Sequence, residues 1–107
     1  MIYEWRVYEI PPGKMVNINN RFANITLKLF QKHGIGVVGF WEAIVGQSNT
    51  LYYMTAFRDM DHREKAWNAM QSDPEWLKAR TETEKEGPIV SRVSNMLLKP
   101  TSYSPLQ

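Results

Sequence analysis

A chain of 107 residues without a cysteine has the length of one domain, and it excludes disulfides, thiolate metal sites and cysteine nucleophiles together. Its formal charge of +2 comes from Lys and Arg scattered among Asp and Glu, so no basic stripe is present to neutralise a row of phosphates and no nucleic-acid partner is expected. No run approaches the roughly 18 apolar residues of a membrane span, and Glu4 and Arg6 interrupt the start where a secretory leader would be apolar; the expectation is a single cytoplasmic domain over 1–107.

Residues 2–10, IYEWRVYEI, mix β-branched and aromatic side chains and stop at Pro11 and Pro12, which predicts a first strand. Alternation divides it into an apolar set, Tyr3, Trp5 and Val7, and a mixed set, Ile2, Glu4, Arg6, Tyr8 and Ile10. From Lys14 the period changes: Met15, Ile18, Phe22, Ile25 and Leu29 recur at spacings of three and four, the pattern of one amphipathic helix. It ends at His33, because Gly34 suits a left-handed C-cap and a histidine in the last turn suits the helix dipole.

A hairpin follows, with strands at 36–45 and 50–58 and a turn at Gly46 to Asn49. Both faces of both arms are apolar, as in interior strands. Asp59 or Asp61 then caps a helix over 61–71 carrying Ala66, Trp67 and Met70, and Asp73 with Pro74 starts another over 74–86, closed by Gly87 and Pro88. A last strand runs from 89 to 98, and 100–107 forms an extended tail.

The order β-α-β-β-α-β is the split βαβ arrangement of ferredoxin-like α+β domains, a four-stranded antiparallel sheet with the first and third strands central. Helices cover one side of such a sheet. The other side is expected to carry Tyr8, Trp41, Tyr53 and Phe57. At about 25 cal/mol per Å², covering four such rings contributes on the order of 10 kcal/mol before the entropy of association. A homodimer packed sheet against sheet supplies that cover.

The segments IYEWRVYEIPPGK, HGIGVVGFW, GQSN, SDPEW, LLKP and YSPL stand in an order and spacing that resembles the NIPSNAP family over nearly the whole chain. The resemblance implies a dimeric α+β barrel, in which two sheets face each other across a dimer interface. That wider superfamily holds cofactor-free monooxygenases, haem-degrading proteins, dye-decolourising peroxidases and chlorite-converting enzymes, as well as members without a known activity, so no reaction follows from it. It also implies His, Trp and Tyr at the positions occupied by Tyr53, Thr55 and Phe57. Losing that histidine removes the imidazole that acid-base chemistry or haem ligation would use.

The candidate ligand-binding residues are Glu4, Arg6, Tyr8, Trp41, Asn49, Tyr53 and Phe57. Arg6 either binds an anionic or carbonyl group of a ligand or, with Glu4 beside it, takes part in a strand-to-strand ion pair at the barrel rim. Trp41 is a ligand-stacking ring or an interface aromatic, and Asn49 either faces the ligand or serves the hairpin turn. His33 and His62 have no second histidine at ligand spacing, so no metal site and no cofactor is expected. The serines lack a histidine partner, and Glu82, Glu84 and Glu86 do not converge as a catalytic pair. The leading functional reading is a homodimer that binds a small aromatic or apolar molecule between Trp41, Tyr8, Tyr53 and Phe57, with Arg6 orienting its polar end. A cofactor-independent oxygenase acting on an aromatic or quinol is the alternative, with Arg6, Asn49 and Trp41 as its candidates. A scaffold that acts only through protein contacts, using the tail and the outer helix faces, is a third; the structural alternative to it is a tail whose Tyr103 and Leu106 clasp the partner subunit.

Overall fold

Strand β1 (Ile2–Glu9) is the spine of the sheet in the computed structural model, which describes residues 1–107. It pairs antiparallel with β3 (Thr50–Phe57) on one side and β4 (Arg92–Leu98) on the other, and β3 pairs with β2 (Gly36–Glu42), giving the order β2-β3-β1-β4. This is the ferredoxin-like topology the element order predicts, with the two central strands as expected.

The first helical segment runs as α1 (Met15–Arg21), a π-helical turn (Phe22–Thr26) and α2 (Leu27–Lys32). The periodicity gives one helix and does not reveal the π turn. Within it the Thr26 hydroxyl donates to the Arg21 carbonyl at 3.3 Å, five residues back, and so partners a carbonyl in the widened turn. The helix ends as Gly34 requires: at φ +71° it lets the Ile35 amide reach the Phe30 carbonyl at 2.8 Å and its own amide reach Gln31, the paired bonds of a Schellman cap.

Helix α3 (Met60–Ser72) starts at Asp59, whose Oδ1 accepts from the His62 amide at 2.8 Å. The capping role thus belongs to Asp59, not to Asp61. His62 closes the joint: its Nδ1 accepts from the Arg58 amide and its Nε2 lies 3.0 Å from the Gly34 carbonyl. Helix α4 (Pro74–Thr83) has Asp73 as its N-cap, accepting from the Glu75 amide at 2.8 Å, and Pro74 in the first turn. The Asp73 carboxylate also binds Lys32 Nζ at 2.8 Å and His33 Nε2 at 2.6 Å. Those contacts hold it well below the usual carboxylate range and tie the end of α2 to the start of α4. His33 and His62 therefore both serve joints between elements.

Three boundaries differ from expectation. Strand β2 stops at Glu42, and Ile44 and Val45 stand in the loop almost wholly exposed, so an apolar pattern there does not mean pairing. Helix α4 ends at Thr83, where its Oγ1 donates back to the Ala79 carbonyl at 2.7 Å. Strand β4 begins at Arg92 instead of 89, because Ile89 turns into the core while Ser91 hydrogen-bonds Glu9.

The core lies between the helices and one side of the sheet. Phe22, Phe30, Phe40, Tyr8 and Tyr53 form a continuous aromatic cluster, with Phe40 stacked on Tyr53 at 4.9 Å and Phe22 edge-on to Tyr53 at 5.2 Å. Ile18, Met70, Ile89 and Phe57 complete it. All seven residues of β4 are exposed, so the helix layer ends over β1 and leaves a step along that edge.

Candidate functional site

The mixed set of β1 faces the helices, the reverse of the expected facing. Ile2, Arg6 and Tyr8 pair with Phe57, Tyr53 and Leu51, and Tyr8 and Tyr53 both pack on Phe22. Glu4, Arg6, Tyr8, Tyr53 and Phe57 thus lie beneath the helices. Trp41 lies on the opposite face with Trp5 and Tyr52, at ring separations of 5.8 Å and 5.9 Å from Trp5. The pocket expected between Trp41, Tyr8, Tyr53 and Phe57 does not form, since the sheet itself separates Trp41 from the other three. Two charges in the set suggested a wet or interfacial face; partners from distant elements neutralise them and make it the core face.

Glu4 shows how. Its carboxylate is fully buried, yet Arg63 grips it with two bonds of 2.9 and 3.0 Å, Arg6 and Asn95 donate at 2.9 and 2.8 Å, and Trp67 Nε1 donates at 3.0 Å. Burial alone would push its pKa up, but the bonds from Arg63 and Asn95 and the Arg6 charge hold it at about 2. Where a strand-to-strand pair at the rim was expected, Glu4 and Arg6 pair with each other within one strand and inside the fold. Arg63 and Trp67 stand on the same stripe of α3 as Met70. A charged residue on an apolar stripe was the signal in the sequence that a buried acid lies opposite.

Glu4 thereby aims Arg6, whose guanidinium also lies 4.8 Å over the Trp67 ring. Arg6 Nε donates to the Tyr53 hydroxyl at 2.7 Å, and Tyr53 donates to the Tyr8 hydroxyl at 2.9 Å. Burial keeps the Tyr53 phenol neutral by pushing its pKa well up, so it remains a donor. Each bond polarises the next, and the Tyr8 proton at the end of the chain is free to donate outward.

Tyr8 opens onto a cleft of about 370 Å³ at the step over β4, lined by Arg6, Arg21, Trp76, Arg80, Val93 and Arg92 among others. That volume is within the roughly 300–1,000 Å³ typical of small-molecule sites. Arg21 is buried at the end of α1, 5.0 Å over the Trp76 ring, with one terminal nitrogen on Glu84 at 3.2 Å. Of the candidate residues, the structure brings Arg6 and Tyr8 to this cleft, supports them from behind with Glu4 and Tyr53, and leaves Phe57, Trp41 and Asn49 elsewhere. Asn49 sits in the hairpin turn at φ +56°, with its carbonyl accepting from the Ile10 amide at 2.8 Å. Arg21, Trp76, Arg80 and Arg92 escaped the sequence reading because three elements far apart in the chain bring them together.

The tail folds onto the far face of its own subunit: the Tyr3 hydroxyl donates to the Gln107 carbonyl at 2.6 Å, and Leu106 borders a hollow with Tyr3, Met54 and Leu98. Tyr103 points outward, 86% exposed. Positions 53, 55 and 57 all lie fully buried under the helices. The departure from the expected His, Trp and Tyr is therefore a change inside the core.

A model of the NIPSNAP family matches residues 3–105. Human NipSnap homolog 2 is 29% identical over 106 residues, 99% of this chain and 35% of the human protein. NipSnap homolog 1 of Danio rerio is 28% identical, covering 99% of this chain and 36% of that protein, so the chain spans about a third of the length of these curated relatives. Among solved structures, a NIPSNAP family protein of unknown function from Agrobacterium tumefaciens has a TM-score of 0.88 at 23% identity, covering 100% of this chain and 94% of that one. A putative antibiotic biosynthesis monooxygenase from Nitrosomonas europaea has a TM-score of 0.65 at 8% identity, covering 94% and 98%. These two likenesses are of fold.

Proposed function

The chain belongs to the NIPSNAP family, and on that premise we propose that it is a cytoplasmic homodimer that binds a small aromatic molecule in the cleft beside Tyr8. The carrying observation is the Arg6–Tyr53–Tyr8 chain of hydrogen bonds, which ends at the wall of a cavity of suitable size. Tyr8, Val90 and Val93 offer apolar surface for an aromatic body, and the Tyr8 hydroxyl offers a proton to an oxygen at its end. The second copy covers the open face, where Trp5, Trp41, Tyr52, Met54 and Met96 replace the four rings named from the sequence. Trp41 is 48% exposed and Met96 54% in the single chain, surface that a partner sheet would bury. No helix is long and apolar enough to cross a membrane, and a chain without cysteine suits a reducing compartment.

Tryptophan fluorescence titrated with flat aromatic phenols, quinones and acids tests the reading. At least one should quench saturably, one molecule per chain, and Val93→Trp, which fills the cleft from its exposed edge, should abolish the effect while leaving the melting temperature in place. No quenching across the panel, or quenching untouched by Val93→Trp, overturns it.

Oxygenation of an electron-rich aromatic is a second reading, favoured by the fold likeness to the Nitrosomonas protein and by a donor poised to polarise a substrate oxygen. Oxygen uptake with a quinol panel decides it, and silence across the panel counts against it.

A further inference from the structure

Resting on the reading of the cleft as an aromatic-binding site, we propose that its ligand is an acid, held by a carboxylate or phosphate-ester group among Arg21, Arg80 and Arg92. The guanidinium groups of Arg6, Arg21, Arg80 and Arg92 line the cleft with a single carboxylate, that of Glu84. Arg6 and Arg63 both bind Glu4, Arg21 and Arg80 both bind Glu84, and Arg92 reaches Glu9 only at 3.7 Å. Every carboxylate there is engaged and positive charge is left over. In a recess partly shielded from water such a surplus is felt more strongly than on an open surface.

The hydrogen-bond inventory points the same way. Arg21 is 6% exposed and its Nε has no partner, and the Trp76 Nε1 is likewise buried without one. Unpartnered buried donors are rare in folded proteins. Those two atoms lie just behind the surface of the cleft; with Tyr8 free to donate and the Arg80 and Arg92 guanidinium groups exposed along it, the wall is rich in donors, and the group that complements it carries lone pairs and no N–H of its own. Carboxylates and phosphates meet that condition and pair with guanidinium forks in a plane. A neutral amide of the same shape does not.

Calorimetric titration of the full chain with 1-naphthoate, 1-naphthyl phosphate and 1-naphthamide tests this. The first or second should bind at least tenfold more tightly than the amide, with the advantage shrinking as salt is raised. The ranking of the two acids identifies the carboxylate or the phosphate as the natural head group. Arg80→Gln combined with Arg92→Gln, both at exposed positions, should remove most of the advantage while the thermal melt stays unchanged. Equal binding of acid and amide overturns the acid and leaves the aromatic site standing. Binding of none of the three overturns both, and an acid preference that survives the double substitution overturns the placement in this cleft.

Discussion

Arg6 and Tyr53 face each other across β1 and β3, with the guanidinium Nε donating to the phenol oxygen at 2.7 Å. This contact converts a half-buried cation into a directed donor, because Tyr53 hands the polarity on to Tyr8 at 2.9 Å. Tyr53→Phe keeps the ring packing and deletes the link. It should cost about 1–2 kcal/mol in denaturant unfolding and weaken 1-naphthoate binding several-fold. Unchanged binding would mean that Tyr8 acts without the relay.

Glu4 is the keystone of the same network. Glu4→Gln leaves the Arg6 and Arg63 guanidinium groups without their carboxylate and should destabilise the fold by about 3–5 kcal/mol, read from the urea midpoint.

Acid should act through the same carboxyl. Its pKa in the fold is about 2 against 4.5 in the unfolded chain, so its contribution is complete above about pH 4.5 and is lost as the pH falls toward 2. Stability measured across that window should decline more steeply in the wild type than in Glu4→Gln. Equal slopes would show that other carboxyl groups govern acid unfolding.

How far the sequence speaks is clear from these residues. Gly34 and the Asp73–Pro74 pair declare helix ends through local chemistry, Asp59 and Asp61 share the signal for another until the structure assigns it to Asp59, and the β-α-β-β-α-β order leads to the strand order through handedness alone. The facing of β1 is different, because alternation separates Glu4, Arg6 and Tyr8 from Trp5 without saying which set the helices cover. That choice rests on Arg63, Trp67 and Asn95, 59 to 91 residues away from Glu4. The cleft is less legible still: beyond Arg6, its arginines come from α1, α4 and β4, and each of these alone reads as an ordinary surface charge.

Asn49 illustrates a candidate whose role is in the backbone. At φ +56° a β-branched residue is strained, so Asn49→Val should cost about 1–2 kcal/mol and Asn49→Gly almost nothing. Both should bind 1-naphthoate as the wild type does. A loss of binding in Asn49→Gly would return Asn49 to the site.

The open face has its own test. A methyl group on Gly39 would stand 2.8 Å from the Trp41 ring, which lies over it and is free to swing outward. Gly39→Ala should therefore leave monomer stability within about 0.5 kcal/mol yet weaken self-association, and Trp41→Lys should abolish it. Sedimentation at low micromolar concentration reads the result. A monomeric wild type, or a dimer indifferent to both changes, refutes the paired-sheet assembly.

The most direct measurement is a crystal structure of the protein grown with saturating 1-naphthoate. The ring should lie against Tyr8, Val90 and Val93, with a carboxylate oxygen within hydrogen-bond reach of Tyr8 and the remaining charge turned toward Arg21, Arg80 and Arg92. Naphthoate seated instead between Trp5 and Trp41 on the opposite face, with the Tyr8 cleft unchanged, would contradict it.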